Sequence, residues 1–416
     1  MPRQSIVLTF LGHRYTPRSA AARSAAQCPA VARKLPVSYS TLTVVFSVLV
    51  LVHVYIGWRL MPGFDANLAE RMALVGSLVL TFVMIPLSMF TRGIHRQPLA
   101  DRLAWAGFLV MGFFSSLFVL TLLRDLAIAL VDVFDIQALI DEQVLVLSAR
   151  AVPALAALAT LVGLVNANRP PAIVDVRVPV PNLPPQLEGF TVAQISDLHV
   201  GPTIKNGYVK RVVELANALQ ADVIAVTGDV VDGRVSDLAP HTAPLGELRA
   251  PHGVYLVTGN HEYYSNADAW VAEYRRLGLR VLMNEHVVIE RDGAVLVLGG
   301  VTDYSAHHFD EAQRSDPVRA LRGAPLADAK VLLAHQPRSA DAAVRAGFHV
   351  QLSGHTHGGQ FWPWNLFVPL QQPYTAGLHR HEGLWVYTSR GTGYWGPPKR
   401  LGAPSEITRI RLTRAA

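Results

Sequence analysis

Apolar positions follow two regimes along this chain. Residues 41–58, 72–91 and 103–123 are uncharged apolar runs, and residues 144–167 form a fourth that contains Arg150. About 20 apolar residues cross the hydrocarbon core of a bilayer. Four such runs in succession predict retained membrane helices, because a cleaved signal peptide supplies only one shorter run. Residues 125–140 alternate acidic and apolar positions at near-helical spacing, which fits a helix lying on the membrane surface or an ordinary loop helix. After Asn168-Arg169-Pro170-Pro171, where two prolines stop a helix, the apolar runs become short and β-branched. Residues 190–196, 222–227, 254–258 and 330–334 are runs of this kind, and they predict buried strands. Further strands are expected at 175–181, 279–283, 286–291, 294–299 and 384–388. The alternation of 407–412 predicts an edge strand, and helices are expected at 205–220, 267–277 and 338–346. The division that follows is a basic tail over 1–40, a membrane domain of about four helices over 41–167, and an α/β domain over 172–416.

Composition sharpens this division. Half of the 416 residues are hydrophobic and 16% are charged, too apolar for an ordinary soluble protein. Cys28 is the only cysteine, which excludes an intramolecular disulfide and a cysteine-based metal site. The formal net charge is +6, and Arg3, Arg14, Arg18, Arg23, Arg33 and Lys34 of the tail equal that excess. A near-neutral remainder makes the tail a topology signal, so no nucleic-acid partner is expected. Arg92, Arg96 and Arg102 follow the second run, while Asp125, Asp132, Asp135, Asp141 and Glu142 follow the third against Arg124. Basic loops stay in the cytoplasm, so four spans return the α/β domain to the cytoplasmic side, against the lipid bilayer. If the fourth run does not cross, the domain sits outside. His53 is a rare polar group within a span, but a single histidine gives no proton pathway.

Polar clusters follow the predicted strands directly. They are Asp197-Leu198-His199, Gly228-Asp229-Val230-Val231-Asp232, Gly259-Asn260-His261-Glu262, His335, and Gly354-His355-Thr356-His357-Gly358-Gly359-Gln360. Sites in α/β sheets gather outside the carboxyl ends of strands, so these clusters are expected on one rim. Two divalent ions about 3.5–4 Å apart clamp the attacking and leaving oxygens of a phosphoryl displacement. In that scheme Asp229 bridges the ions. Asp197, His199 and His357 hold one, and Asn260, His335 and His355 hold the other. A water shared by the ions ionises near neutral pH and attacks phosphorus. His261 donates a proton or polarises a phosphate oxygen. Oxygen and imidazole ligands suit manganese, iron or zinc alike.

The ordered set D-x-H, G-D-x-x-D, G-N-H-E, lone histidine and G-H-T-H resembles the calcineurin-like metallophosphoesterase superfamily over the α/β domain. The resemblance implies a β-sandwich flanked by helices and a dinuclear centre, with the roles just given. The G-H-T-H-G-G-Q ending, with Ser389-Arg390-Gly391-Thr392-Gly393 and Pro404-Ser405-Glu406-Ile407, looks like a subgroup of membrane-tethered bacterial enzymes. One member of that subgroup cleaves a nucleotide-linked glycolipid. The expected activity is thus hydrolysis of a phosphoester or pyrophosphate bond, with a phosphorylated, lipid-linked substrate and a bacterial inner-membrane location. Two alternatives stand beside it: a phosphodiesterase on soluble nucleotides or nucleic acid with the spans as a tether, and a non-catalytic metal-binding membrane sensor. Asp232 is expected to brace the loop of Asp229. Glu262 either orients His261 or faces solvent, and Gly358 and Gly359 let backbone amides approach phosphate. Asp303, His307 and His308 are weighed as an entrance lining. Arg390, Lys399 and Arg400 are weighed as a second phosphate site and read as surface groups.

Overall fold

The structure, a computed structural model, describes residues 39–65, 67–91, 94, 97–136 and 141–415. The expected tail, apart from its last two residues, lies outside the described residues, as do Arg92 and Arg96. Among the described residues, four helices are long and apolar enough to cross a membrane. They are α1 (Tyr39–Leu60), α2 (Leu68–Phe90), α3 (Leu99–Val133) and α4 (Glu142–Asn168). Asn67 caps α2 through its carboxamide oxygen, and Asp141 caps α4 through its carboxylate, which accepts from Val144 N at 2.8 Å. Ile56, Leu60, Leu74, Leu117, Val152 and Ala156 form the interior of the bundle.

Residues 125–133 are not a separate surface helix. They are the last turns of α3. No proline or glycine interrupts Leu123–Val133, and charge ends a lipid-facing run without breaking the hydrogen-bond ladder. Asp125 accepts from Tyr55 at 2.5 Å and from Arg59 at 2.7 Å. Arg150 donates to Gly63 O at 2.8 Å and pairs with Glu70 at 3.2 Å. His53 lies between Leu49 O (2.7 Å) and Thr81 Oγ1 (3.0 Å), its ring stacked on Phe114.

The remaining chain forms two six-stranded sheets. The first contains β1 (Ala172–Val180), β2 (Thr191–Ile195), β3 (Val223–Val226), β4 (Val254–Leu256), β5 (Arg280–Val281) and β12 (Glu406–Arg414), in the order β1-β12-β2-β3-β4-β5. The second contains β6 (Glu285–Arg291), β7 (Ala294–Gly300), β8 (Ala329–Leu333), β9 (Val350–Ser353), β10 (Gly377–His381) and β11 (Leu384–Thr388), in the order β10-β11-β9-β8-β7-β6. Val192, Val223 and Ala225 of one sheet meet Leu298, Val331 and Leu352 of the other in a shared core. Each of these valine and leucine side chains contributes roughly 1.5–3 kcal/mol by leaving water. The outer face of the first sheet carries α5 (Asn206–Ala218), α6 (Val235–Thr242) and α7 (Ala267–Arg276), through Val212, Leu238 and Trp270. Residues Ala340 and Ala343 pack on the second sheet. This is the β-sandwich flanked by helices that the motif order implied.

Two strand readings change. The strand expected at the edge, β12, is internal, pairing in parallel with β1 and antiparallel with β2. Its arginines suit this place because Arg409 pairs with Asp175 of β1, at 3.0 Å for one contact. The edge belongs to β1. Strands β9 and β10 were not read from the pattern, the first because Gln351 and Ser353 interrupt its apolar run.

Candidate metal centre

Five strands end on one rim. β2 delivers Asp197 and His199, β3 delivers Asp229 and Asp232, and β4 delivers Asn260 and His261. β8 delivers His335, and β9 delivers His355 and His357. Strands β2 to β4 belong to one sheet and β8 and β9 to the other, so the cluster straddles the sandwich. Asp197, His199, Asp229, His355 and His357 all have φ between +52° and +71°. Left-handed backbone at non-glycine residues costs on the order of 1–3 kcal/mol each and persists where the surroundings impose it. Two glycines make the approach possible. A Cβ on Gly354 would stand 2.1 Å from Asp197 Oδ2, and one on Gly259 would stand 2.2 Å from Asp229 Oδ1.

Three groups of donor atoms each fall within 4.8 Å: Asp197, His199 and His357; His199, Asp229 and His261; and Asp229, His335 and His355. Asp229 Oδ2 is 3.1 Å from His335 Nε2 and 3.9 Å from the Nε2 atoms of His199 and His261. His335 Nδ1 donates to Thr227 O at 2.8 Å, which turns its Nε2 toward Asp229 and His355 Nδ1, the latter 3.3 Å away. His199 Nδ1 donates to Asp232 at 3.1 Å, and its Nε2 faces His357 Nε2 at 3.0 Å. The carboxamide oxygen of Asn260 is buried without a hydrogen-bond partner among the described residues. Convergent lone pairs and an orphaned amide oxygen are what a pair of divalent cations would satisfy. The donor set therefore fits the metals that the motif order implies.

Electrostatics agree with this reading. Burial opposes ionisation of Asp229, yet His335 and His261 hold it well below the usual carboxylate range. Burial and the charge of His335 push His355 down to about 3. Burial works against a proton on His261, but Asp229 and Asp232 lift it to about 9.

The supporting residues are partly as expected. Asp232 holds two rings at once, accepting from His199 Nδ1 and from His261 Nδ1. Glu262 does not face solvent, and its carboxylate is taken up by backbone amides rather than by the His261 ring. It is fully buried and accepts from the amides of Gly259 (2.7 Å), Val230 (2.8 Å) and Asp229 (3.0 Å), which ties the β3 and β4 loops together. Gly358 and Gly359 adopt positive φ, and their amides bond to Thr356 at 3.3 and 2.8 Å. A Cβ on Gly359 would meet Asn365 Cα at 2.2 Å, so this glycine serves the packing of the following loop. Asp303 is buried and holds Gln336 beside His335 rather than lining an entrance.

Residues 190–359 match the family model for calcineurin-like phosphoesterase. A metallophosphoesterase of Aquifex aeolicus is 31% identical over 223 residues, covering 53% of this chain and 84% of that one. The chain belongs to the calcineurin-like phosphoesterase family. It is 41% identical over 279 residues to a transmembrane protein with metallophosphoesterase domain from Bos taurus, covering 63% of each chain. A protein of the same description from Danio rerio is 38% identical over 261 residues, covering 61% of this chain and 60% of that one. The matches to these two relatives thus span under two thirds of their length.

Three residues to which the sequence alone gives no role or a surface place lie beyond the matched family segment. Gln360 pins the 395–397 loop by donating to Trp395 O and Pro397 O and accepting from Trp395 N. Lys399 and Arg400 are each 1% exposed, which overturns their reading as surface groups. Lys399 reaches between α3 and α4, donating to Gly112 O at 3.0 Å and to the Ser116 hydroxyl. Arg400 donates to Arg390 O (2.7 Å), Ala403 O (3.1 Å) and His357 O (3.3 Å). Small residues in the spans, Gly112 and Gly163, were the available signal. A Cβ on Gly163 would lie 2.4 Å from Lys399 Cγ.

Proposed function

We propose that this protein is a membrane-anchored, metal-dependent hydrolase of phosphoester or pyrophosphate bonds. The observation that carries this is the position of Asp229, whose carboxylate has nitrogens of His199, His261 and His335 within 3.9 Å. Asp197, His199 and His357 would hold one divalent ion and Asn260, His335 and His355 the other, with Asp229 between them. Two ions held so acidify water and neutralise charge on a phosphoryl group. The chain's own residues do the rest. Asp232 fixes the His261 ring through Nδ1, which leaves Nε2 to hold a proton for the leaving oxygen. Glu262 keeps the two ligand-bearing loops at a fixed spacing.

Four apolar helices beside the centre support a lipid phosphate or a nucleotide-linked glycolipid as substrate. They favour it over a soluble nucleotide served by a loose tether, because Lys399 is lodged between α3 and α4. The distribution of arginine and lysine supports a cytoplasmic position for the centre, which a reporter fused at the C-terminus tests. Purified protein with added manganese is expected to hydrolyse bis-p-nitrophenyl phosphate, and Asp229→Asn or His261→Ala to abolish it. Unchanged turnover in either variant rejects the assignment.

A further inference from the structure

The loop after the histidine pair carries an apolar surface that no part of the described chain covers. Trp362, Trp364, Leu366, Phe367 and Leu370 are exposed, Leu370 at 81%. An exposed apolar cluster of this size on a soluble surface marks an interaction site. What covers this one is indicated by where it sits. Trp364 Nε1 donates to Ser115 Oγ at 2.9 Å, and Ser115 lies in the middle of the uncharged run 103–123. Nearby, Lys399 reaches Gly112 and Ser116 of the same helix. The loop therefore stands beside the middle of the apolar run of α3, and Leu122 and Leu123, about two turns further along the same helix, are exposed. The same surface continues to the metal centre. Trp395, 51% exposed, contacts the His261 ring at 5.7 Å between centroids and is tied to the loop through Gln360.

We propose that residues 361–370 are immersed in the acyl layer of the leaflet that α3 crosses, and that the metal centre draws from that leaflet a phosphoester whose apolar part stays in the lipid. The second half rests on the phosphoesterase reading above; the first half does not. Indole N–H groups suit this depth, because an aromatic ring tolerates both acyl chains and headgroups. Leu366, Phe367 and Leu370 contact lipid and Trp395 borders the reaction site, so the two roles separate by mutation.

The full chain in phosphatidylcholine vesicles tests both halves. With Cys28→Ser, an environment-sensitive fluorophore is attached through Leu370→Cys or, as control, through Leu326→Cys. Leu326 is 98% exposed and precedes β8, at the strand end opposite the metal centre. Doxyl lipid is expected to quench the label at 370, and aqueous iodide the label at 326. Iodide quenching at both positions overturns immersion. Quenching at 370 by neither reagent, with a dimer in native mass spectrometry, gives the surface to a second copy and also overturns it. For the substrate, Leu366→Asp/Phe367→Asp/Leu370→Asp is expected to lose roughly tenfold or more of turnover on hexadecyl p-nitrophenyl phosphate in vesicles, because charge opposes interfacial seating. Turnover of bis-p-nitrophenyl phosphate in water stays unchanged. Equal effects on both substrates overturn the leaflet route. No turnover of either by the parent protein rejects the phosphoesterase reading and the substrate half with it, while quenching still decides immersion.

Discussion

His53 in the bundle and His335 at the strand ends are both buried imidazoles, and their surroundings differ. Both nitrogens of His53 have a partner that suits them, Leu49 O and Thr81 Oγ1. Arg150 and Lys399 are likewise closed on carbonyls, hydroxyls or a carboxylate. His335 has one nitrogen fixed on Thr227 O and the other facing Asp229 and His355. His199, His357 and Asn260 share that condition. Burial of a polar group therefore does not separate structure from chemistry in this protein. Convergence of several potential ligand atoms on one carboxylate does.

The largest effect that would sharpen this contrast is at Asp229. Asp229→Asn removes the charge that three imidazoles face and is expected to lower turnover on bis-p-nitrophenyl phosphate by about a thousandfold or more. Metal content by mass spectrometry should fall with it. Turnover near that of the parent protein, with metal retained, would break the comparison at its strongest point.

Next in size is Asp232→Asn. The carboxylate orients His199 and His261 from outside the cluster, and removal of such a partner costs roughly 10–100-fold in metal affinity or activity. Manganese titrated against turnover reads this, and addition of excess metal should restore part of the loss. Metal uptake should itself release protons. Burial opposes the proton on His335, but Asp229 keeps its pKa well above the usual value. A ligand must lose that proton to bind, so affinity rises with pH as His335 deprotonates. Calorimetry in buffers of different ionisation enthalpy measures it, and identical heats in all buffers would count against His335 as a ligand.

The fold and the donors were legible because both are written locally. Each apolar β-branched run ends at the polar cluster it positions, as Ile224–Thr227 does before Gly228-Asp229. The illegible parts depend on distant partners. Lys399 and Arg400 read as surface charge until Gly112 and Gly163, far earlier in the chain, are seen to leave a gap for the lysine stem. Ile407–Leu412 alternates as an edge strand does, and only the parallel pairing with β1 makes it internal. Glu262 was undecided because its acceptor role depends on the amides of Asp229 and Val230 in another loop.

Lys399→Met removes the amine and keeps most of the stem. Loss of a charged hydrogen bond is expected to destabilise the protein by about 2 kcal/mol, read as a lower midpoint of thermal unfolding in detergent. Gly163→Ala should act in the same direction, since its methyl group would collide with the lysine stem. Neither change touches a ligand. The loss in turnover on a soluble substrate should therefore be far smaller than for Asp232→Asn. A loss as large as that of Asp232→Asn would mean that the bundle sets the geometry of His357 through Arg400.

The smallest effect belongs to His53→Phe. The substitution keeps a ring against Phe114 and gives up the bonds to Leu49 O and Thr81. The Thr81 hydroxyl, freed from His53, can donate to Leu78 O at 2.9 Å, so no hydroxyl is orphaned. Hydrogen bonds between membrane helices contribute about 0.6 kcal/mol on average, and the unfolding midpoint should move by no more than that implies. Turnover should be unchanged, because every group His53 touches belongs to the bundle. A fall in turnover comparable with that of Asp232→Asn would show that a closed polar circuit in the spans governs the centre, and the distinction between the two kinds of buried histidine would no longer hold.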